Sequence, residues 1–332
     1  MEIIDVVGID VSKLTLDVVI HKSREYHQFE NSNKGFAKII KWTLKQSNVN
    51  REKLLYVFEH TGLYSYQLAQ HLSGKSFHFV IVPGLEIKRS LGISRGKEDK
   101  VDAAKIARYA YRLRDEIKLT VLPSEELRRL KNLLSLRDRM VKQRAGYKTS
   151  LKEMKRVLKA KDNGILLNTQ KRIISSFNKQ IIHLEKEMDY IIKDNKKLKI
   201  FYDLIISIRG IGPQTALYLI VLTAGFTKFK NSRAFASYSG IAPFPNSSGT
   251  SIRGRTKVSN LANKKMKSLL DLAAKVAIQY NQEMKIYYNK RIEEGKSKMS
   301  TINIIRNKLL ARVFAVINRQ TPYVDVMKYV AA

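Results

Sequence analysis

Cysteine is absent from this 332-residue chain, which excludes a disulfide framework and thiolate zinc sites. The six histidines show no paired metal spacing such as HExxH, so any metal is left to oxygen donors. Long apolar runs are missing as well. No stretch approaches the ~20 uncharged apolar residues of a spanning helix, and Met1-Glu2-Ile3-Ile4-Asp5 lacks the basic region and cleavage site of a signal peptide. These absences lead to the expectation of a soluble cytoplasmic protein with no membrane partner. Acid is the scarcest class relative to its counterpart: 29 Asp+Glu stand against 62 Lys+Arg, a formal net charge of +33. The hydrophobic fraction of 44% and charged fraction of 27% are ordinary for a globular chain, so the basicity comes from replacing surface acid with base. At this length a buried core is affordable and two domains, or one with a long insertion, are expected. A field of this sign attracts polyanions, and with no segment able to enter lipid the partner class is nucleic acid.

The first ~115 residues carry an α/β pattern. β-Branched runs at Ile3–Asp10 and Leu14–Ile20, then Glu25–Glu30, predict an antiparallel meander. Helical periodicity follows at Phe36, Ile39, Ile40 and Trp42, then a strand Leu54–Phe58, a helix near Tyr64–Leu72, a strand Phe77–Val82 and a helix from about Lys100 to Arg112. That is the element order of a ribonuclease H-like fold. From Pro123 one sustained helical period runs through Leu127, Leu130, Leu134, Leu151, Met154 and Leu158. Lys161-Asp-Asn-Gly164 breaks it, and a second stripe runs through Ile174, Phe177, Ile181, Leu184, Met188 and Ile191. The pair predicts an antiparallel helical hairpin or coiled coil, too long to bury its stripe without a partner, hence oligomerisation or docking. Its outer face holds Arg128, Arg129, Arg137, Lys142, Arg144 and Lys148 with little acid nearby in sequence, which favours nucleic-acid contact over a merely solvated face. From about residue 197 the chain is again mainly helical, with a Ser/Gly/Pro-rich loop at 239–254. The expected division is 1–118, 119–198 and 199–332.

Four carboxylates stand where chemistry is expected. Asp10 ends the first apolar strand, where an acid among β-branched residues is costly unless capped, paired or metal-bound. Glu59 ends the strand 54–58 in the same way. Asp99 and Asp102 lie three apart at a helix start, where either capping or metal binding is favoured by the helix N-terminus. Together they supply the oxygen donors that two divalent ions clamping a phosphodiester require.

The segments Gly8-Ile-Asp10-Val-Ser-Lys13, Glu59-His-Thr61-Gly62-Leu-Tyr64 and Lys97-Glu-Asp99-Lys-Val-Asp102-Ala103 resemble, in order and spacing, the three blocks of the DEDD insertion-sequence transposases of the "one-ten" family. The resemblance implies a RuvC-like nuclease fold whose Asp10, Glu59, Asp99 and Asp102 bind Mg²⁺.

The C-terminal third adds independent features. Ile208-Arg-Gly210-Ile-Gly212-Pro has the glycine spacing of a helix-hairpin-helix, whose backbone N–H groups approach a phosphate at a helix N-terminus; an ordinary helix corner is the alternative. Ser247-Ser248-Gly249 follows, with Arg253, Arg255 and Lys257 as nearby cations. By itself a serine beside glycine indicates only a flexible loop. The family resemblance gives the nucleophile role to Ser248, with Ser247 as its rival, and implies a C-terminal transposase domain. After it the chain departs from the family, with Asn260-Leu-Ala262-Asn263 where a Lys-x-Gly-Asn turn is usual.

The expected function is a transposase that excises and inserts its own element. It would act on donor and target DNA as dimers assembling to tetramers near the bacterial nucleoid, and the family resemblance implies guidance by a structured noncoding bridge RNA. The rivals are a RuvC-like junction-resolving nuclease, in which the serine loop is structural, and a non-catalytic nucleic-acid-binding protein.

Overall fold

A computed structural model of the chain describes residues 2–90, 99–159, 161–248 and 252–325. It divides into two compact units, one ending at Leu122 and the other beginning at Pro123.

In the first unit, the three β-rich runs become β1 (Asp5–Val11), β2 (Thr15–Ile20) and β3 (Tyr26–Glu30), an antiparallel meander. Helix α1 (Asn33–Ser47) begins at Ser32, whose side chain accepts the Gly35 N–H. β4 (Leu54–Glu59), α2 (Leu63–Gly74), β5 (His78–Val82), α3 (Gly84–Ser90) and α4 (Asp99–Arg112) complete the unit. β4 lies parallel to β1 and β5 parallel to β4, giving the order β3-β2-β1-β4-β5. Both faces of the central strands are covered, which is why β1 and β4 read as nearly unbroken apolar runs. On one face Phe36, Ile39, Leu68 and Leu72 of α1 and α2 close over Val7, Ile9, Tyr56 and Phe58. On the other, Ile106, Tyr109 and Ala110 of α4 close over Val6, Leu55, Val57 and Val80. The α4 side depends on Gly8: a Cβ there would stand 2.3 Å from the Ala103 carbonyl oxygen and 2.4 Å from the Ala107 nitrogen. Glycine and two alanines thus let the helix lie directly on β1.

The second unit is mostly helical. α5 (Glu125–Val157) and α6 (Gly164–Asp194) form the long hairpin, followed by α7 (Lys196–Ile206), α8 (Pro213–Leu222), α9 (Ser232–Tyr238), α10 (Lys264–Tyr280), α11 (Gln282–Glu293) and α12 (Lys298–Arg319). The core gathers Leu204, Ile205, Leu219, Ile220, Leu270, Ala274, Leu309 and Val313. The hairpin joins it at its base, through Leu127, Leu130, Leu134, Met188 and Ile191; farther out only Ile181 and Leu167 among its described apolar residues are buried, and Val157 and Ile165 near the tip are 81% and 89% exposed.

One segment differs from its sequence reading. Most of the expected loop 239–254 is a hairpin of β6 (Pro243–Ser248) and β7 (Ile252–Val258). Pro243 and Pro245 remove two backbone donors, and the register shifts between Phe244 and Asn246. β6, with two prolines and two serines, carries few strand signals, whereas β7 alternates Ile252, Thr256 and Val258 with Arg253, Arg255 and Lys257.

Candidate functional site

The acidic residues of the first unit converge at one end of its sheet. Ile9 pairs with Phe58 across β1 and β4, so Asp10 and Glu59, one step further along each strand, are neighbours at the ~5 Å strand spacing. α4 brings Asp99 and Asp102 in its first turn to the same end, because its close seat on Gly8 fixes where that turn begins. Lys97 and Glu98, just before it, lie outside the described residues. Asp10 is half-buried, and its carboxyl is pushed up from 3.8 to about 6, first by burial and then by the negative charges of Asp99, Asp102, Asp17 and Glu59. The four side chains that act most strongly on Asp10 are therefore all carboxylates. Asp102 is partly offset by Lys105, whose Nζ stands 2.8 Å from its Oδ1.

Several supporting residues carry no signal that the sequence reading used. Asp17 pairs directly with Asp10 across β1 and β2, is 1% exposed, and accepts hydrogen bonds at Oδ1 from the Tyr26 hydroxyl (2.7 Å) and the Gln28 amide (3.0 Å). That bond pushes the Tyr26 hydroxyl up to about 12. Gly84 is required by Glu59: a Cβ there would stand 1.9 Å from the Glu59 Oε1. Gly62 in Glu59-His-Thr-Gly62 has φ +71 and turns the chain into α2, a left-handed position that favours glycine. Asn31 ties two of the acidic segments together, donating to the Ser12 carbonyl (2.8 Å) and the Tyr64 carbonyl (3.2 Å). An acid inside Leu16-Asp17-Val18 is the same kind of signal as Asp10, and it was available in the sequence.

The donor set fits a hard divalent cation in kind: oxygen ligands, repulsion bearing on Asp10 and a buried acceptor, Asp17 Oδ2, without a hydrogen-bond partner among the described residues. Among the described residues no three such side chains stand close enough to hold an ion as they are. Closing them on one takes side-chain rotation, which repulsion opposes until a cation neutralises it.

In the second unit, α7, the turn at Gly210 and α8 occupy the expected helix-hairpin-helix segment. Gly210 has φ +103, and a Cβ there would lie 2.8 Å from the Ala277 Cβ and 2.9 Å from the Ala273 carbonyl oxygen of α10. Gly212 precedes Pro213 at the start of α8, and a Cβ there would meet nothing within 4 Å. Ser248 is the last residue of β6, paired in register with Ile252, and Ser247 with Arg253; Arg253, Arg255 and Lys257 occupy alternate positions of β7. The side chains of Ser247, Ser248, Arg253 and Arg255 lie outside the described part, as does Gly249. The departure at Ala262 has a local cause: Gly240, at φ +66, leaves room for the Ala262 methyl, since a Cβ at 240 would stand 2.4 Å from it. Asn263 then caps α10 through the Met266 N–H (2.9 Å) and is held by a bond from its side chain to the Tyr238 hydroxyl (3.0 Å).

Two of the four hairpin arginines singled out in the sequence find acid on the other helix. Arg129 meets Glu187 (2.8 Å), Arg137 meets Glu185 (2.7 Å), Arg144 bonds Asn178 (2.8 Å), and Arg128 bonds Glu125 of its own turn (3.2 Å). Lys142 and Lys148 are exposed. Among the described residues no helix is long and apolar enough to cross a membrane.

Comparison with known proteins places this arrangement. Residues 7–159 match the DEDD transposase family of IS110, and residues 202–289 match the transposase IS116/IS110/IS902 family. The chain is 28% identical to the pilin gene-inverting proteins of Moraxella lacunata and Moraxella bovis, over 96% of its own length and 97% of theirs. It is also 29% identical over 117 residues, 35% of this chain and 29% of the relative, to the insertion element IS110 uncharacterized 43.6 kDa protein of Streptomyces coelicolor. An acidic sheet end in one unit and a transposase segment in the other define a DNA transposase or recombinase. The chain belongs to the IS110 family of transposases, and its DEDD type carries with it a dependence on divalent metal.

Proposed function

We propose that this transposase excises and inserts its own mobile element through a covalent Ser248–DNA intermediate, with Mg²⁺ held by Asp10, Glu59, Asp99 and Asp102. The observation that carries the reading is the convergence of these acids on one sheet end, where Asp10 is repelled by the others. The sheet order β3-β2-β1-β4-β5 with α4 across it supports a RuvC-like, ribonuclease H-like catalytic domain over 1–118. Residues 119–198 serve as the hairpin linker and 199–332 as the serine-bearing domain, in which α7 and α8 act as a helix-hairpin-helix.

The Ser248 hydroxyl attacks the scissile phosphorus, forming a serine–phosphate ester, losing its proton and releasing a strand-terminal hydroxyl. The hydroxyl of the new partner strand attacks that ester, rejoins the DNA and restores the serine. Arg253, Arg255 and Lys257 stabilise the charge on the phosphoryl oxygens. A bound Mg²⁺ supplies neutralisation of developing negative charge at the scissile phosphate. The full-length relatives are named for inverting a pilin gene; inversion requires ends to be rejoined, which favours a recombinase over a junction-resolving nuclease.

Guidance by a structured bridge RNA accords with the +33 charge, since a basic surface tracks a nucleic-acid backbone without reading its sequence. Assembly of dimers into tetramers accords with the exposed apolar residues of the hairpin tip, and the working place is the bacterial nucleoid in the cytoplasm.

The test combines protein, donor and target DNA, the element's flanking transcript and Mg²⁺. Asp10→Ala, Glu59→Ala and Asp102→Ala are each expected to lower strand exchange by ~10³-fold or more, with DNA affinity within about two-fold of the parent. EDTA or omission of the transcript is expected to abolish exchange. Exchange that survives loss of the carboxylates would overturn the reading. Cleavage without rejoining, unchanged in Ser248→Ala, would leave a nuclease.

A further inference from the structure

Asp17 occupies a position that strand geometry alone does not explain. It is 1% exposed, as is Asp5 at the other end of β1, and burying a carboxylate is costly unless its oxygens are satisfied; Asp5 accepts the Val6 and Lys22 backbone N–H groups. It lies directly opposite Asp10 in the antiparallel register of β1 and β2, and directly paired residues project from the same face with Cβ atoms about 5 Å apart. That face is the one on which α4 lies, because two residues before Asp10 the missing Cβ of Gly8 is replaced by Ala103 and Ala107. Asp17 is accordingly among the four carboxylates that act on Asp10.

Its two oxygens differ. Oδ1 is tethered by the Tyr26 hydroxyl at 2.7 Å and the Gln28 amide at 3.0 Å, both from β3. Oδ2 is buried and has no hydrogen-bond partner among the described residues. A carboxylate clamped through one oxygen, with the other buried, unsatisfied and beside an acidic cluster, is arranged as a ligand whose orientation is fixed in advance by neighbouring groups. Had Asp17 served only to join β2 to β3, an asparagine or glutamine would accept the same two hydrogen bonds without placing a fourth negative charge against Asp10.

We propose that Asp17 is a fifth carboxylate of the divalent-cation site, offering Oδ2 to the ion held at Asp10, with Tyr26 as its positioning residue. The inference rests on the reading of Asp10, Glu59, Asp99 and Asp102 as cation ligands and adds a donor from β2 to those from β1, β4 and α4.

The test measures Mn²⁺ affinity of the full-length protein without nucleic acid, by electron paramagnetic resonance of free Mn²⁺, for the parent, Asp10→Asn, Asp17→Asn and Tyr26→Phe, with melting curves in EDTA to establish folding. Asp17→Asn keeps an acceptor for Tyr26 and Gln28 while removing the charge. It is expected to bind Mn²⁺ at least ~10-fold more weakly, and Tyr26→Phe, which removes the shorter of the two bonds to Oδ1 but keeps the charge, several-fold more weakly. In EDTA, Asp17→Asn is expected to melt no lower than the parent, since a repelling charge has gone. Affinity within two-fold of the parent in a folded Asp17→Asn, with Asp10→Asn impaired, overturns this inference and spares the four-carboxylate reading. Should Asp17→Asn fail to fold, unchanged affinity in Tyr26→Phe overturns it instead. Equal binding by the parent and Asp10→Asn overturns both.

Discussion

Asp10 sits under the strain of like charge, and this has a pH signature. Its carboxyl is held near 6 in the fold against 3.8 unperturbed, burial being the larger cause and the surrounding carboxylates the next. Between those values the native state binds more protons than the unfolded chain, so this group's contribution to stability falls as pH rises from about 4 to 6. Without divalent cation, Asp10→Asn is expected to raise stability near pH 8 by on the order of 1 kcal/mol, allowing for solvent screening at a half-buried group. The gain should vanish near pH 4, and thermal melts across that range in EDTA check it. Asp10, Glu59, Asp99 and Asp102 were legible because each acid stands at the end of a strand or the start of a helix, where spacing fixes its place. Asp17 is visible in sequence as an acid within an apolar strand, but its pairing with Asp10 depends on cross-strand register, and Gly84 depends on the reach of the Glu59 side chain, which no local spacing encodes.

The elements of the first unit follow from local sequence: β-branched runs, a serine cap on α1 and glycine at the turn into α2. What positions the site among them is the seat of α4 on Gly8. Gly8→Ala drives a methyl into the Ala103 and Ala107 backbone. It is expected to cost about 1–3 kcal/mol in denaturant unfolding and to weaken Mn²⁺ binding as the first turn of α4 shifts. In the second unit the two glycines of the 208–213 turn separate cleanly. Gly210→Ala, at positive φ and pressed against α10, is expected to lose about 1–3 kcal/mol. Gly212→Ala, open on its Cβ side, is expected to lose less than about 1 kcal/mol. If α8 receives a phosphate at its N-terminus, Gly212→Ala lowers DNA affinity at nearly unchanged melting temperature. In the β6–β7 hairpin the prolines and serines of β6 hide the first strand, while β7 does carry a period-two alternation of Arg253, Arg255 and Lys257 that a Ser/Gly/Pro-rich composition masks.

Across the whole molecule the excess of 33 positive charges was legible at once, but how it is distributed was not. Arg129 and Arg137 are matched by Glu187 and Glu185 some fifty residues away, a pairing visible only once α5 and α6 are folded together. Lys142 and Lys148 are therefore the better reporters of polyanion contact. Their double substitution by alanine is expected to reduce the slope of log affinity against log salt by about 2 at unchanged melting temperature, as measured by DNA binding over a salt series. Arg137→Ala should lower the melting temperature as well. Covalent attachment of DNA to Ser248 that depends on the Asp10 carboxylate is tested most directly by chemistry. Strand exchange is stopped by denaturation in Mg²⁺, protein-bound DNA is digested, and the peptide carrying a nucleotide remnant is mapped by mass spectrometry. The remnant is expected on Ser248, absent from Ser248→Ala and from Asp10→Ala; a remnant on Ser247, or free DNA ends with no adduct on any residue, would contradict a Ser248 nucleophile.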